Sequence, residues 1–214
     1  MGLRAGTGQL IWASLGVLWL TGVVWGLALL AAYDNAPGEP ARAVLQWPAE
    51  SGISPDPNGP TLLVLAHPRC DCTRASVAEL AELMARAHVR PRTYVVFIRP
   101  GTVPGGWERT ELWRAAAAIP GVTVLRDDEG VEADRFGAVM SGQALLYAVD
   151  GSLLFAGGVT PWRGHAGDNA GRASILAVLA RAQAPQPTSP VFGCPLFSTD
   201  PPRPLEVTNA GHSD

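Results

Sequence analysis

Residues 61–73 read TLLVLAHPRCDCT. The run Thr61–Ala66 is six residues long, apolar and rich in branched side chains, and it ends at His67-Pro68. That pattern predicts a strand buried on both faces, as in the middle of a parallel sheet. Two cysteines follow, Cys70 and Cys72, with a helical pattern after them. Over Thr73–His88, Val77, Leu80, Met84 and Ala87 recur at spacings of three and four, which places one apolar stripe along a helix. Glu82 and Arg86 form an i,i+4 pair on the opposite side, and Ser76 with Glu79 has capping-box spacing, although the helix is expected to start a few residues earlier. A buried strand, a dithiol and a helix therefore succeed one another.

Further units extend outward from this one. Thr93–Ile98 (TYVVFI) predicts a second strand, closed by Pro100-Gly101. Trp107–Ala118 predicts a helix stopped by Pro120. Val122–Leu125 predicts a third strand, followed by the acidic turn Asp127-Asp128-Glu129-Gly130, which reads as solvated, and a short helix over Glu132–Phe136. Ala144–Val149 and Ser152–Ala156 flank Asp150-Gly151, a hairpin signal. Asp168 or Asn169 caps a last helix running to about Gln183. Strands alternating with helices imply a mainly parallel central sheet with right-handed crossovers and helices on both faces, and the hairpin adds an antiparallel edge.

Upstream, Leu10–Ala32 (LIWASLGVLWLTGVVWGLALLAA) contains no charged residue. It exceeds the roughly 20 apolar residues that cross a bilayer core, and it is longer than the apolar core of a signal peptide. It is expected to be a single transmembrane anchor over residues 10–32; the alternative is a cleaved signal peptide, with Ala31 and Ala32 as small residues near a cleavage point. Arg4 precedes it, and Asp34, Glu39 and then Arg42 follow. The positive-inside rule then places the domain outside the cytoplasm, in a bacterial periplasm where disulfides persist. Residues 33–60 hold six prolines and read as an extended linker, with Leu45 and Trp47 able to dock on the domain. The domain spans 61–183. Residues 184–214 form an irregular tail containing Cys194.

The chain of 214 residues has a net charge of −3 and no Lys/Arg run, which argues against a nucleic-acid partner. It has no phosphate-binding glycine loop, no nucleophilic serine motif and no HExxH.

The succession of strand, cysteine motif, helix, closing hairpin and helix resembles the thioredoxin superfamily over Thr61 to about Gln183. The additional strand at Val122–Leu125 with Phe136-Gly137 resembles the TlpA and peroxiredoxin-like branch. HPRCDCTRAS (67–76), GGVTPWRGHAGDNAGR (157–172) and FGCP (192–195) are similar to the RedB group. The resemblance implies thiol–disulfide exchange with protein thiols and disulfides and needs no cofactor. Two departures stand out. The motif here is CxC rather than CxxC. The cis-proline that the family places before the hairpin falls on Gly142.

Thiolates attack disulfides, and a helix N-terminus favours the thiolate. Cys70 is therefore the expected exposed nucleophile and Cys72 the resolving thiol, with Arg69, Arg74 and His67 adding charge nearby. A ring closed between residues i and i+2 is tight, so such a disulfide is expected to be easily reduced. Cys194 has three readings: a tail staple, a partner for Cys70 or Cys72, or a metal ligand. His165 is either a ligand or acid/base near the dithiol, or part of the loop before the last helix. Arg163 and Arg172 read as solvated, with pairing to Asp168 or to a substrate anion as the alternative, His88 as a helix end and His212 as part of a tail. One alternative function is copper or zinc handling of Sco-like type through Cys70, Cys72 and Cys194 or His165. Another is a non-catalytic binding module.

Overall fold

The computed structural model describes residues 6–38, 42–181 and 186–197. Arg4, Glu39, the helix end near Gln183 and His212 lie outside the described residues. The elements are α1 (Thr7–Asn35), β1 (Thr61–Ala66), α2 (Asp71–Arg86), β2 (Arg92–Arg99), α3 (Glu111–Ala117), β3 (Val122–Asp128), α4 (Val131–Arg135), β4 (Gln143–Tyr147), β5 (Leu153–Gly158) and α5 (Ala170–Leu179). The sheet order is β3-β2-β1-β4-β5. β1 pairs in parallel with β2, and β2 with β3. β4 runs antiparallel to both β1 and β5. The expected parallel centre with a hairpin edge is present.

β1 is buried at all six positions. Its side chains alternate between two cores, as a pleated strand requires. Leu62, Val64 and Ala66 join Val77, Leu80 and Leu83 of α2 and Ile175 and Leu179 of α5 on one face. Leu63 and Leu65 meet Ala133 and Phe136 on the other. Among the described residues, that second face has the five-residue α4 as its one regular cover. Irregular chain covers the rest. Trp47 stands edge-on to Phe136 and Tyr147 at 4.9 and 5.2 Å, Ile53 is buried, and Leu196 enters from the C-terminal side. Leu45 keeps its side chain exposed, although its carbonyl accepts the Leu153 N–H at 2.9 Å.

Two local expectations are corrected. The helix expected over Trp107–Ala118 shortens to Glu111–Ala117, because residues 104–110 form turns that close on residues 67–69. The acidic turn is not wholly solvated. Asp127 is buried, and its carboxylate accepts the N–H groups of Glu132 and Ala133, both at 2.9 Å, at the start of α4. Ser76 and Glu79 lie buried inside α2, which begins at Asp71, in keeping with a helix that starts before them.

Arg172 is likewise not solvated. It is buried in α5, where its guanidinium binds Glu79 of α2 and reaches Asp168 at 2.9 Å. Glu79 also accepts the Gly167 N–H at 2.6 Å and the Asn169 amide at 3.0 Å. Asn169 caps α5 by accepting the Arg172 N–H at 2.7 Å. This pair ties the two long helices of one face together.

α1 is the one helix among the described residues long and apolar enough to cross a membrane. Its apolar stretch covers Gly8–Asn35, with a mean hydropathy of 2.1 and none of it buried.

Removing Glu79 strands a buried guanidinium. Glu79→Ala is expected to lower the unfolding free energy by about 3 kcal/mol, read from the denaturant midpoint. Glu82→Ala, in the exposed pair with Arg86 at 3.2 Å, is expected to change it by less than about 0.5 kcal/mol.

Candidate functional site

The central strand β1 delivers His67-Pro68-Arg69-Cys70 to the start of α2. Cys70 is the N-cap residue, with extended backbone (φ −102°, ψ 121°), and Cys72 lies in the first helical turn. The helix therefore presents its unpaired N–H groups beside the Cys70 sulfur.

Ser141 holds the surrounding backbone. Its hydroxyl accepts the His67 N–H at 2.8 Å and shares a hydrogen bond with the Thr73 hydroxyl at 2.7 Å. Its N–H donates to the Cys194 carbonyl at 2.8 Å. The next residue, Gly142, stands at the expected cis-proline place with φ +86°. Its N–H donates to the Leu65 carbonyl at 2.8 Å. A Cβ there would come within 2.6 Å of the Ser76 hydroxyl. Proline has neither that N–H nor access to that φ, so this backbone excludes it.

The Cys70 and Cys194 sulfurs lie 2.6 Å apart and share a hydrogen bond. The Cys72 sulfur completes a cluster whose members are all within 4.8 Å of one another. Among the described residues this cluster comprises the three cysteines, and neither His67 nor His165 joins it.

Cys70 is not the exposed nucleophile that position alone suggested. It is 2 % exposed, and Cys72 7 %, because residues 191–196 return across the site. Burial pushes the Cys70 thiol up. Hydrogen bonds from the Cys194 thiol and from the N–H groups of Cys194, Cys72 and Thr73 outweigh it, so the net shift is downward. With Cys70 ionised, the Cys194 thiol is the donor in their hydrogen bond. Burial and the Cys70 charge raise Cys72, and the Arg163 guanidinium opposes them. Cys194 is pushed up to about 12 by burial, by its hydrogen bond to Cys70 and by the neighbouring Cys70 charge.

Arg163 is the cation the site uses. Its Nη1 donates to the Gly193 carbonyl at 2.6 Å and its Nη2 to the Ala36 carbonyl at 3.2 Å, and the group stacks on the Tyr33 ring at 4.9 Å. The exposed end of α1 and the cysteine cluster therefore share one arginine. The other predicted neighbours do less. Arg69 is exposed and lies over the Trp107 ring at 4.9 Å. Arg74 reaches Glu111 at 3.9 Å in solvent. His67 is held below its ordinary value by burial and by Arg69, and its ring meets Trp107 edge-on at 5.5 Å. His165 is exposed, with Nδ1 2.7 Å from the Arg163 carbonyl oxygen, and shapes the loop.

Sequence reasoning missed Ser141, Thr73 and the weight of Arg163. Ser141 lies beside the Gly142 position already singled out. No local pattern marks Arg163.

The metal reading has three sulfurs within 4.8 Å of one another to draw on. Two thiolates on one tetrahedral zinc stand about 3.8 Å apart, given Zn–S bonds of about 2.3 Å, so Cys70 and Cys194, 2.6 Å apart, would separate on binding it.

No protein-family model matches the chain, and no curated protein matches its sequence. Solved structures do match. A hypothetical protein from Sinorhizobium meliloti is 19% identical, covers 78% of this chain and 100% of its own, and superposes with a TM-score of 0.54. An uncharacterized conserved protein from Geobacillus kaustophilus is 16% identical over 78% of this chain and 94% of its own, with a TM-score of 0.55. The pneumococcal exposed lipoprotein thioredoxin Etrx1 of Streptococcus pneumoniae is 16% identical over 57% and 84%, with a TM-score of 0.42. At these identities the likeness is one of fold. With its sheet order, its closing hairpin and its cysteines at the head of α2, the chain has a thioredoxin-like α/β fold.

Proposed function

We propose that this protein is a membrane-anchored thiol–disulfide oxidoreductase of the RedB-like group, acting on protein thiols and disulfides outside the cytoplasm through Cys70 and Cys72. The observation that carries the reading is the Cys70 thiol. It caps α2 just beyond the central strand, beside the Cys194 sulfur, and hydrogen bonds from the Cys194 thiol and from the N–H groups of Cys194, Cys72 and Thr73 hold it below its ordinary value. Thiolate character is what thiol–disulfide exchange requires of its attacking group. α1 supplies the anchor over residues 10–32, and residues 33–60 join it to the domain. Cys72 carries the second thiol of the motif.

Soft-metal handling is the second reading, supported by three sulfurs within 4.8 Å. It requires Cys70 and Cys194 to move apart by roughly 1 Å. Metal quantified per chain on the purified reduced protein distinguishes the two, and a stoichiometric ion would favour the second.

The redox reading is tested by the rate at which the reduced protein consumes glutathione disulfide as a function of pH. A lowered folded-state pKa keeps Cys70 ionised at pH values where an ordinary thiol is already protonated. The rate is therefore expected to persist as pH falls towards neutrality and to drop only below the lowered pKa. Cys70→Ser is expected to reduce it by about 100-fold or more. A profile with the inflection of a free cysteine, or an active Cys70→Ser, would count against the proposal.

Arg163 opposes the upward shift of Cys72. Arg163→Gln is expected to raise Cys72 further and slow its alkylation at fixed pH, measured by mass spectrometry at that site.

A reporter active only outside the cytoplasm, fused after Phe197, is expected to be active in a bacterial host. Activity of a cytoplasm-only reporter at the same junction would reverse the orientation.

A further inference from the structure

We infer that Cys194, rather than Cys72, is the thiol that first resolves a mixed disulfide on Cys70, so that the working redox couple joins the head of α2 to the C-terminal segment. The inference deepens the thiol-exchange reading and rests on it.

The segment 186–197 is built into the fold. Pro187 accepts the Ala156 N–H at 3.1 Å, and the Ser189 hydroxyl donates to Gly158 at 2.7 Å. Val191 accepts the Gly38 N–H at 2.8 Å, and Leu196 donates to Val139 at 2.9 Å. Val191 and Leu196 are buried. The chain lies so close to β5 and to Ser141 that Gly157, Gly158 and Gly193 have no room for a Cβ. Added Cβ atoms would overlap the backbone of Ser189, Pro190 and Ser141 respectively. With the Ser141–Cys194 backbone bond at 2.8 Å, these contacts place one particular sulfur, from 124 residues away in sequence, against Cys70. Holding a reactant at such a position replaces a search by a local step.

Cys72 is the poorer partner. It is fixed in the first turn of α2, while Cys70 caps that turn with extended backbone. Closing the tight i,i+2 ring would work against both conformations. Cys194 needs less. Its sulfur is 2.6 Å from that of Cys70, and a disulfide spans about 2.05 Å.

The reaction balances as follows. The Cys70 thiolate attacks one sulfur of a substrate disulfide, forms the mixed disulfide and expels the first substrate thiolate. The Cys194 thiol gives its proton to that thiolate. It then attacks the Cys70 sulfur, breaks the bond to substrate and expels the second substrate thiolate. The substrate disulfide is reduced by two electrons, and Cys70 and Cys194 are oxidised to a disulfide. Once Cys70 is in the mixed disulfide its charge is gone, and with it one of the effects that hold Cys194 protonated. Arg163, bonded to Gly193, remains to favour the Cys194 thiolate.

The test uses the reduced full-length chain in detergent, treated with equimolar glutathione disulfide, quenched with acid, alkylated and digested with trypsin. Arg69 and Arg74 flank both motif cysteines, so Cys70–Arg74 is released as one pentapeptide. It is expected to be recovered disulfide-linked to the Cys194 peptide. Glutathionylated Cys70 is expected to accumulate in Cys194→Ser at about tenfold the level seen in Cys72→Ser. A pentapeptide lighter by two hydrogens beside an alkylated Cys194, or adduct accumulating in Cys72→Ser instead, would overturn this inference and leave thiol exchange standing. Absence of any oxidation at Cys70 would overturn both. The wild-type map needs no substitution, so poor folding of a variant does not decide the outcome.

Discussion

The N–H of Ser141 donates to the Cys194 carbonyl while its hydroxyl serves His67 and Thr73. Through this one residue the loop before β4 is bonded to the end of β1, the first turn of α2 and the C-terminal segment. Those are the pieces that carry or position the three thiols. Gly142 next to it and Gly193 opposite lack the side chains that would force these backbones apart. The burial of Cys70 and its contact with Cys194 both depend on this close approach.

The same arrangement explains how a buried thiol keeps thiolate character. Burial alone disfavours the charged form. Here the desolvated sulfur is compensated by backbone N–H groups and by the Cys194 thiol, a charge-assisted set that is stronger in a protected site than in water. The cost appears on the neighbours, since burial and then the interaction with Cys70 raise both Cys72 and Cys194. The three thiols are thereby set apart, Cys70 shifted down and its two neighbours up.

Arg163 links this centre to the base of the apolar helix. It contacts Tyr33 and Ala36 at one end and Gly193 at the other, and its own N–H donates to the Asp34 carbonyl at 3.1 Å. The second core face shows a related economy. With α4 as its one regular cover among the described residues, it is completed by Trp47, Ile53 and Leu196 from chain that has no helix or strand there. Segments that look like linker and tail in composition thus complete the fold.

Short-range pattern was enough to read the elements, the sheet and the position of the dithiol. A six-residue apolar run, a three-four stripe and an Asp-Gly hairpin turn are all signals within a dozen residues. The long apolar helix was equally legible, since span length is a property of composition. What folding alone decided was every contact between distant segments. Glu79 meets Arg172 across 93 residues, and Cys70 meets Cys194 across 124. Asp127 caps α4 only because the turn folds back over it. Arg172 read as solvated because its buried partner Glu79 lies 93 residues away, and Asp127 because the turn's composition does not show that the chain folds back to bring the Glu132 and Ala133 N–H groups onto its carboxylate. The burial of Cys70 and its pairing with Cys194 were hidden for the same reason, since they arise where backbones meet without side chains between them.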